Sequence, residues 1–415
     1  MRDAPVPGVA RIRMRETRAH AMKPSMRIEV PGARARVSRR RRRATRGTGA
    51  AFLKRCMLSI ALLLAPIMPA AGAGAPQDAQ RRQPTVRIEN QPDAVEQSVA
   101  AGVAYLISRQ SADGSISPDE THATALTSLA VLAMIGVGHQ LTDPTPEGQA
   151  LRKALAFLLG EDRQDEIGYF GARDGSRMYG HGITTLLLGE LLGMGVDEEQ
   201  DGVIREKLTR AVELILRSQR VEKFGNGMYD GGWRYTPGAR DADLSITVWQ
   251  VMALRSALAA DIEVPASAVD EAVEYLRRSY EPAQAGPKPM GRFGYQPRRS
   301  FGYATTAAGL LAMQVCGRYE APEVEGAANW LLSQRLDPDD TWFFYGTYYY
   351  AQGLYQRGGE EAEVARARVE STLLSIQHEN GSWSGSGVAQ ERVYATSMAL
   401  LSLSVRYHYL PIYQR

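Results

Sequence analysis

From residue 93 onward, two kinds of apolar stretch alternate along the chain. The first is seen in residues 208–219 (LTRAVELILRSQ) and 270–279 (DEAVEYLRRS). Aliphatic residues recur there every three or four positions and charges fill the rest, so one helical face is buried. The second kind covers 122–137, 179–194, 243–260, 301–317, 348–358 and 392–408, and is apolar nearly all round with little charge. That pattern predicts helices buried on every side. Six alternations predict six helical hairpins, with outer amphipathic helices and inner apolar ones.

The junctions repeat as well. Each outer helix carries a pair ending in an aliphatic residue: Tyr105-Leu106, Phe157-Leu158, Leu214-Ile215, Tyr275-Leu276, Trp330-Leu331 and Thr372-Leu373. These recur at intervals of 52, 57, 61, 55 and 42 residues, the signature of a repeat architecture. A turn of Gln, Gly and aromatic follows. It is sharpest at Gln377–Trp383 (QHENGSW) and is also present at Gln110–Ile116. In the third copy Gln219 precedes Gly231-Gly232-Trp233, and the fifth has Gln334 and Trp342. The second and fourth are read without the Gln, keeping Gly168-Tyr169-Phe170 and Gly291-Arg292-Phe293. The chemistry suits a helix end: an amide for loose backbone groups, a Gly for reversed dihedrals and a ring to cover the turn. Continuous inner burial favours closing the six hairpins into a ring, because an open solenoid leaves one inner face wet. The fold expected over 93–415 is therefore all-α, an (α/α)6 toroid with negligible strand.

Ahead of this body, residues 57–69 (MLSIALLLAPIMP) are uncharged, preceded by Lys54-Arg55 and followed by small residues. Residues 56–75 read as a secretory signal with cleavage near Ala73, which places the mature chain in the periplasm or outside the cell. The apolar run is shorter than a comfortable membrane span, and an uncleaved anchor remains the alternative. Residues 1–55 are a basic extension, best explained by a translation start set too early; residues 76–92 are a polar linker. Of 415 residues, 44% are hydrophobic and 23% charged, which excludes a wholly disordered chain. Residues 1–55 hold 17 Lys and Arg against three acids, leaving 32 basic residues against 43 acidic in the rest. An acidic body argues against nucleic-acid binding. Two Cys, Cys56 and Cys316, exclude a disulfide framework. No metal or cofactor is expected, and peripheral membrane contact and oligomeric state are left open.

The Gln-x3-Gly-x-Trp turns resemble the repeat of squalene-hopene cyclases and protein prenyltransferase β-subunits. Closer still is the likeness to exported single-toroid prenyltransferase and squalene oxidase repeat proteins of planctomycete type. It rests on Tyr179–Gly182 (YGHG), Gly231–Tyr235 (GGWRY), 243–253 (DLSITVWQVMA), Arg392–Tyr394 (RVY) and Tyr409–Tyr413 (YLPIY). The resemblance implies the toroid over the whole body. Two departures bear on activity. The cyclases protonate substrate with Asp-x-Asp-Asp, and here Asp241-Ala242-Asp243-Leu244 lacks the third carboxylate. Their substrate cavity lies between two toroids, and here there is one. Cys316 has no surrounding prenyltransferase zinc motif.

Asp241 and Asp243 precede the third inner helix, either as a proton-donating pair or with Asp243 as a helix cap. His181 opens the second inner helix between glycines, as a catalytic assistant or a structural hydrogen-bonder. Tyr179, Trp233, Tyr235, Tyr303, Tyr348, Arg392 and Tyr394 are the candidate ligand-binding residues at the mouth, with turn packing the alternative for Trp233. Three functions stay open. One is binding of a hydrophobic, polyisoprenoid or glycan ligand, or a partner protein, at an aromatic mouth. The others are a terpene cyclase-like isomerase with an Asp proton donor, and a non-catalytic envelope scaffold. Binding or scaffold ranks above catalysis, and enzyme status is undecided.

Overall fold

The structure is a computed structural model, and it describes residues 92–283, 287–385, 389–407 and 409–413. The basic extension, the signal and nearly all of the linker lie outside the described residues.

Twelve α-helices are described. The outer ones are α1 (Ala94–Ser108), α3 (Pro146–Leu159), α5 (Glu198–Gln219), α7 (Ala266–Arg278), α9 (Pro322–Ser333) and α11 (Gly359–Ile376). The inner ones are α2 (Ala123–Gly136), α4 (Arg177–Leu191), α6 (Leu244–Ala259), α8 (Tyr303–Val315), α10 (Phe343–Arg357) and α12 (Ala389–Leu403). The inner helices pack in sequence from α2 through α12, and α12 returns to α2, so the ring is closed. The ends of the chain seal it. Arg406 pairs with Asp93, the cap of α1, through two hydrogen bonds of 3.0 and 2.9 Å, and the Gln377 amide donates to the Ser98 carbonyl in α1. Every residue of α2 is buried, as the all-round apolar pattern demands.

One hydrogen-bonded joint, repeated around the ring, ties turn to helix. Gln110, Gln164, Gln219 and Gln377 each donate to the carbonyl of the turn glycine, at Gly114, Gly168, Gly231 and Gly381. Each also donates to a carbonyl of the next outer helix, at Ala150, Lys207, Ala268 and Ser98. Gln164 thus supplies the amide of the second turn, correcting the reading that this copy lacks one; the run Gln164–Phe170 keeps the full spacing. Gly231 shows why the glycine is needed: its φ is 81°, and a Cβ there would lie 2.0 Å from the Glu271 carbonyl oxygen. The backbone amide of the residue closing the turn then donates to a threonine hydroxyl of the inner helix: Ile116 to Thr127, Trp233 to Thr247, Phe293 to Thr306 and Trp383 to Thr396.

Two copies depart from the joint. In the fourth, β1 (Tyr280–Ala283), β2 (Met290–Gln296) and β3 (Arg299–Phe301) form an antiparallel meander where negligible strand was expected. Residues 290–296 (MGRFGYQ) carry aromatics on alternate positions, which suits a strand. Phe293 still covers the turn, packing on Tyr280 with ring centres 5.0 Å apart. In the fifth, Gln334 turns back to Trp330 and Ser333, and Trp342 is 64% exposed where Trp233 and Trp383 are 1% and 0%. No helix among the described residues is long and apolar enough to cross a membrane.

Candidate functional site

The six outer-to-inner turns lie at the N-terminal ends of the inner helices and form one mouth of the ring. At the third of them, Asp243 is the N-cap of α6. Its Oδ1 accepts from the Ile246 amide at 3.0 Å and the Ser245 hydroxyl at 2.5 Å. Its Oδ2 accepts from the Arg234 guanidinium at 3.0 Å. Asp243 is fully buried. Burial pushes its carboxyl up, against the pull of these hydrogen bonds and of Arg234. Asp241, about a third exposed, sits on the outer side of the same guanidinium at 3.4 Å. The two acids therefore share one cation instead of facing a substrate space as a free pair.

A layer of tyrosines surrounds this ion cluster. Arg234 lies over the rings of Tyr235 and Tyr295, 4.8 and 5.6 Å from their centres, and donates to the Tyr295 hydroxyl at 3.2 Å. The Tyr235 and Tyr295 hydroxyls are 2.5 Å apart. Tyr179 donates to Ser245 at 2.6 Å, and Tyr345 donates to the Ser245 carbonyl at 3.2 Å. Tyr179, Tyr235, Tyr295 and Tyr345 are all half-buried, with their hydroxyls engaged. Loss of hydration raises the phenols of Tyr179 and Tyr295 above their ordinary range. Tyr295 and Tyr345 were not among the expected site residues. Tyr295 comes from the unexpected strand β2, and Tyr345 from a helix that begins five residues before the predicted start.

That earlier start displaces Tyr348, a correction to its expected place at the mouth. It lies in the second turn of α10 and is 1% exposed. Its ring stacks on Trp249 of α6 at 5.8 Å, interplanar angle 11°, and Tyr349 closes on both at 5.8 and 4.7 Å. Since α6 and α10 are separated by α8 in the ring, these three rings meet across its axial side. Trp249 and Tyr349 are 2% and 0% exposed. Tyr303 opens α8, half-buried, beside Tyr350 at 5.9 Å. Tyr394 is half-buried and Arg392 exposed near the start of α12; the side chain of Glu391 lies outside the described residues. Trp233 packs the turn, its indole donating to Ile215 at 2.8 Å.

His181 is likewise no part of this cluster. It is fully buried. Its Nδ1 accepts from the Phe170 amide at 3.3 Å, and its Nε2 lies 3.1 Å from the Ala211 carbonyl of α5. It therefore occupies the place that Thr127, Thr247, Thr306 and Thr396 hold in other copies. Desolvation lowers its pKa to about 4, so the ring is neutral and donates through Nε2. Burial pushes the Cys316 thiol up to about 12, which keeps it from acting as a nucleophile. No group of three or more potential metal ligands occurs among the described residues.

No family model matches this chain, and no curated protein matches it. Among solved structures it is similar to the type II terpene cyclase MstE from Scytonema in its apo form, at 20% identity over 77% of this chain and 100% of that one, TM-score 0.47. The same cyclase with its product merosterolic acid A gives 18% identity over 76% and 98%, TM-score 0.48. A protein from Actinoplanes is 15% identical over 76% and 99%, TM-score 0.47.

Proposed function

We propose that the protein is a binding toroid whose tyrosine-lined mouth takes a saccharide, without converting it. The observation that carries this reading is the stack of buried rings that α6 and α10 bring together: Trp249, Tyr348 and Tyr349 pack on one another, and we read them as a plug below the mouth. A polyprenyl chain needs an apolar pocket that encloses most of its surface. Above this plug lies a rim of half-buried phenols around Arg234, with the exposed indole of Trp342 on the same end of the ring. Flat rings with polar edges suit the faces and hydroxyls of sugars. An exported location, part of the same proposal, would bring the mouth to envelope glycans.

The isomerase reading asks Asp243 to protonate an alkene. Both of its oxygens are engaged by Ile246, Ser245 and Arg234, so that proton would have to be freed from an ion pair first. Isothermal titration calorimetry with soluble cell-wall oligosaccharides and with geranylgeraniol separates the two. Saccharide binding weakened at least tenfold in Tyr235→Phe and Tyr295→Phe supports the proposal. Binding or conversion of geranylgeraniol, with no saccharide bound, overturns it.

A further inference from the structure

The end of the ring opposite the mouth holds a buried carboxyl that takes no part in the mouth's ion cluster. Glu190 lies in the last turn of α4 and is 4% exposed. Its Oε1 accepts from the Ser256 hydroxyl of α6 at 2.6 Å. Its Oε2 accepts from the backbone amide of Ile412 at 3.1 Å. Ile412 belongs to the second of two 3-10 turns, Ser404–Arg406 and Pro411–Tyr413, that follow α12. This tail packs against α6. Leu410 and Ile412 are buried at 4% and 5%. Leu410 lies against Gly136 at the end of α2, and Tyr409 against Gly138. One carboxyl thus clamps three segments from distant parts of the chain.

We propose that residues 409–413 form a latch across this end of the ring, held shut by Glu190 in its protonated form and loosened when Glu190 ionises. In the closed latch the carboxyl meets only a hydroxyl from α6, an amide from the tail and apolar carbon. No cation among the described residues compensates it: Arg255, beside Ser256, is exposed, and Arg406 of the tail is committed to Asp93. Ser256 and Ile412 are the groups that oppose the effect of burial on it, and no charged side chain bears on it. An ionised carboxylate without a countercharge in such a place is costly, whereas an open latch lets water reach it. Desolvation accordingly raises Glu190 from 4.5 to about 7. The closed form gains most below pH 4.5, and that gain is lost as pH rises toward 7. If opening restores an ordinary carboxyl, the opening constant increases roughly 70-fold between pH 5 and pH 8.

Hydrogen exchange read by mass spectrometry on the full chain tests this, with rates converted to protection factors at each pH. Peptides covering 409–413 should lose protection by tens of fold from pH 5 to pH 8, while peptides from the middle of α6 keep theirs. Glu190→Gln keeps both contacts without the charge, its carbonyl oxygen accepting from the Ile412 amide and its NH2 donating to the Ser256 hydroxyl, which can itself donate to the Leu186 carbonyl, and its tail should be protected equally at both pH values. Ile412→Pro removes the donated amide, so its tail should exchange fast throughout. Tail protection that is flat with pH in the unsubstituted chain, or that varies just as much in Glu190→Gln, overturns the latch.

Discussion

His181 shows how a residue that looks catalytic in sequence can be a joint. A lone imidazole between two glycines at a helix start has no partner visible in the chain, and the Phe170 amide it accepts from becomes apparent only in the fold. The other copies hold the clue, since Thr127, Thr247, Thr306 and Thr396 stand where it stands. His181→Ala should cost about 3 kcal/mol, from a cavity and two stranded backbone groups, with the midpoint in urea as readout. Its titration sets a sign. The folded pKa near 4 is below the unfolded 6.5, so stability is full above pH 6.5 and falls as pH drops toward 4. Glu190 is opposite, with a folded value near 7 above the unfolded 4.5, so its contribution is full below 4.5 and falls as pH rises to 7. Between pH 4.5 and 6.5 the two slopes offset each other. Glu190→Gln should remove the opposing slope and leave that of His181, a rise of about 2 kcal/mol across that window in denaturant titrations. A flat profile in this variant would contradict the assignment. Asp243 was legible as an N-cap from Asp followed by an apolar run, but its bond to Arg234 was not. Asp243→Asn should keep the cap, leave Arg234 with Asp241 alone, and lower stability by about 2 kcal/mol.

The turns were the most legible elements, because each is written in consecutive residues. The Gln and Gly of the first, third and sixth copies, with Ile116, Trp233 and Trp383 closing them, do what helix-end chemistry asks, and the second does so with Gln164. The fourth and fifth were less legible because their sequences depart from the pattern in opposite ways. One replaces the Gln with a strand meander that brings Tyr295 to Arg234, and the other leaves its tryptophan outside. The two tryptophans should therefore differ sharply in thermal unfolding. Trp233→Ala should destabilise by more than about 3 kcal/mol, losing a buried ring and its bond to Ile215. Trp342→Ala should fall within about 0.5 kcal/mol of the parent chain. Equal costs would mean that the fifth turn is built like the third. Gly231→Ala forces both a left-handed dihedral and a clash with the Glu271 carbonyl, and should cost several kcal/mol.

At the scale of the molecule, the six-fold alternation foretold the ring, and the closure of α12 on α2 and of Arg406 on Asp93 completes it. What lies along the axis was not legible, because it depends on which side chains of α6 and α10 reach past α8. Tyr348 was expected at the rim and stands instead buried against Trp249. On the proposed reading these rings plug the axis and confine ligand chemistry to the mouth. Xenon enters apolar cavities of protein interiors when they are empty, which makes it a direct probe of this claim. In crystals of the protein under xenon pressure, the space between Trp249, Tyr348 and Tyr349 should remain free of bound xenon. A xenon atom on the axis there would mean an open cavity below the mouth, and would return the isomerase reading to first place.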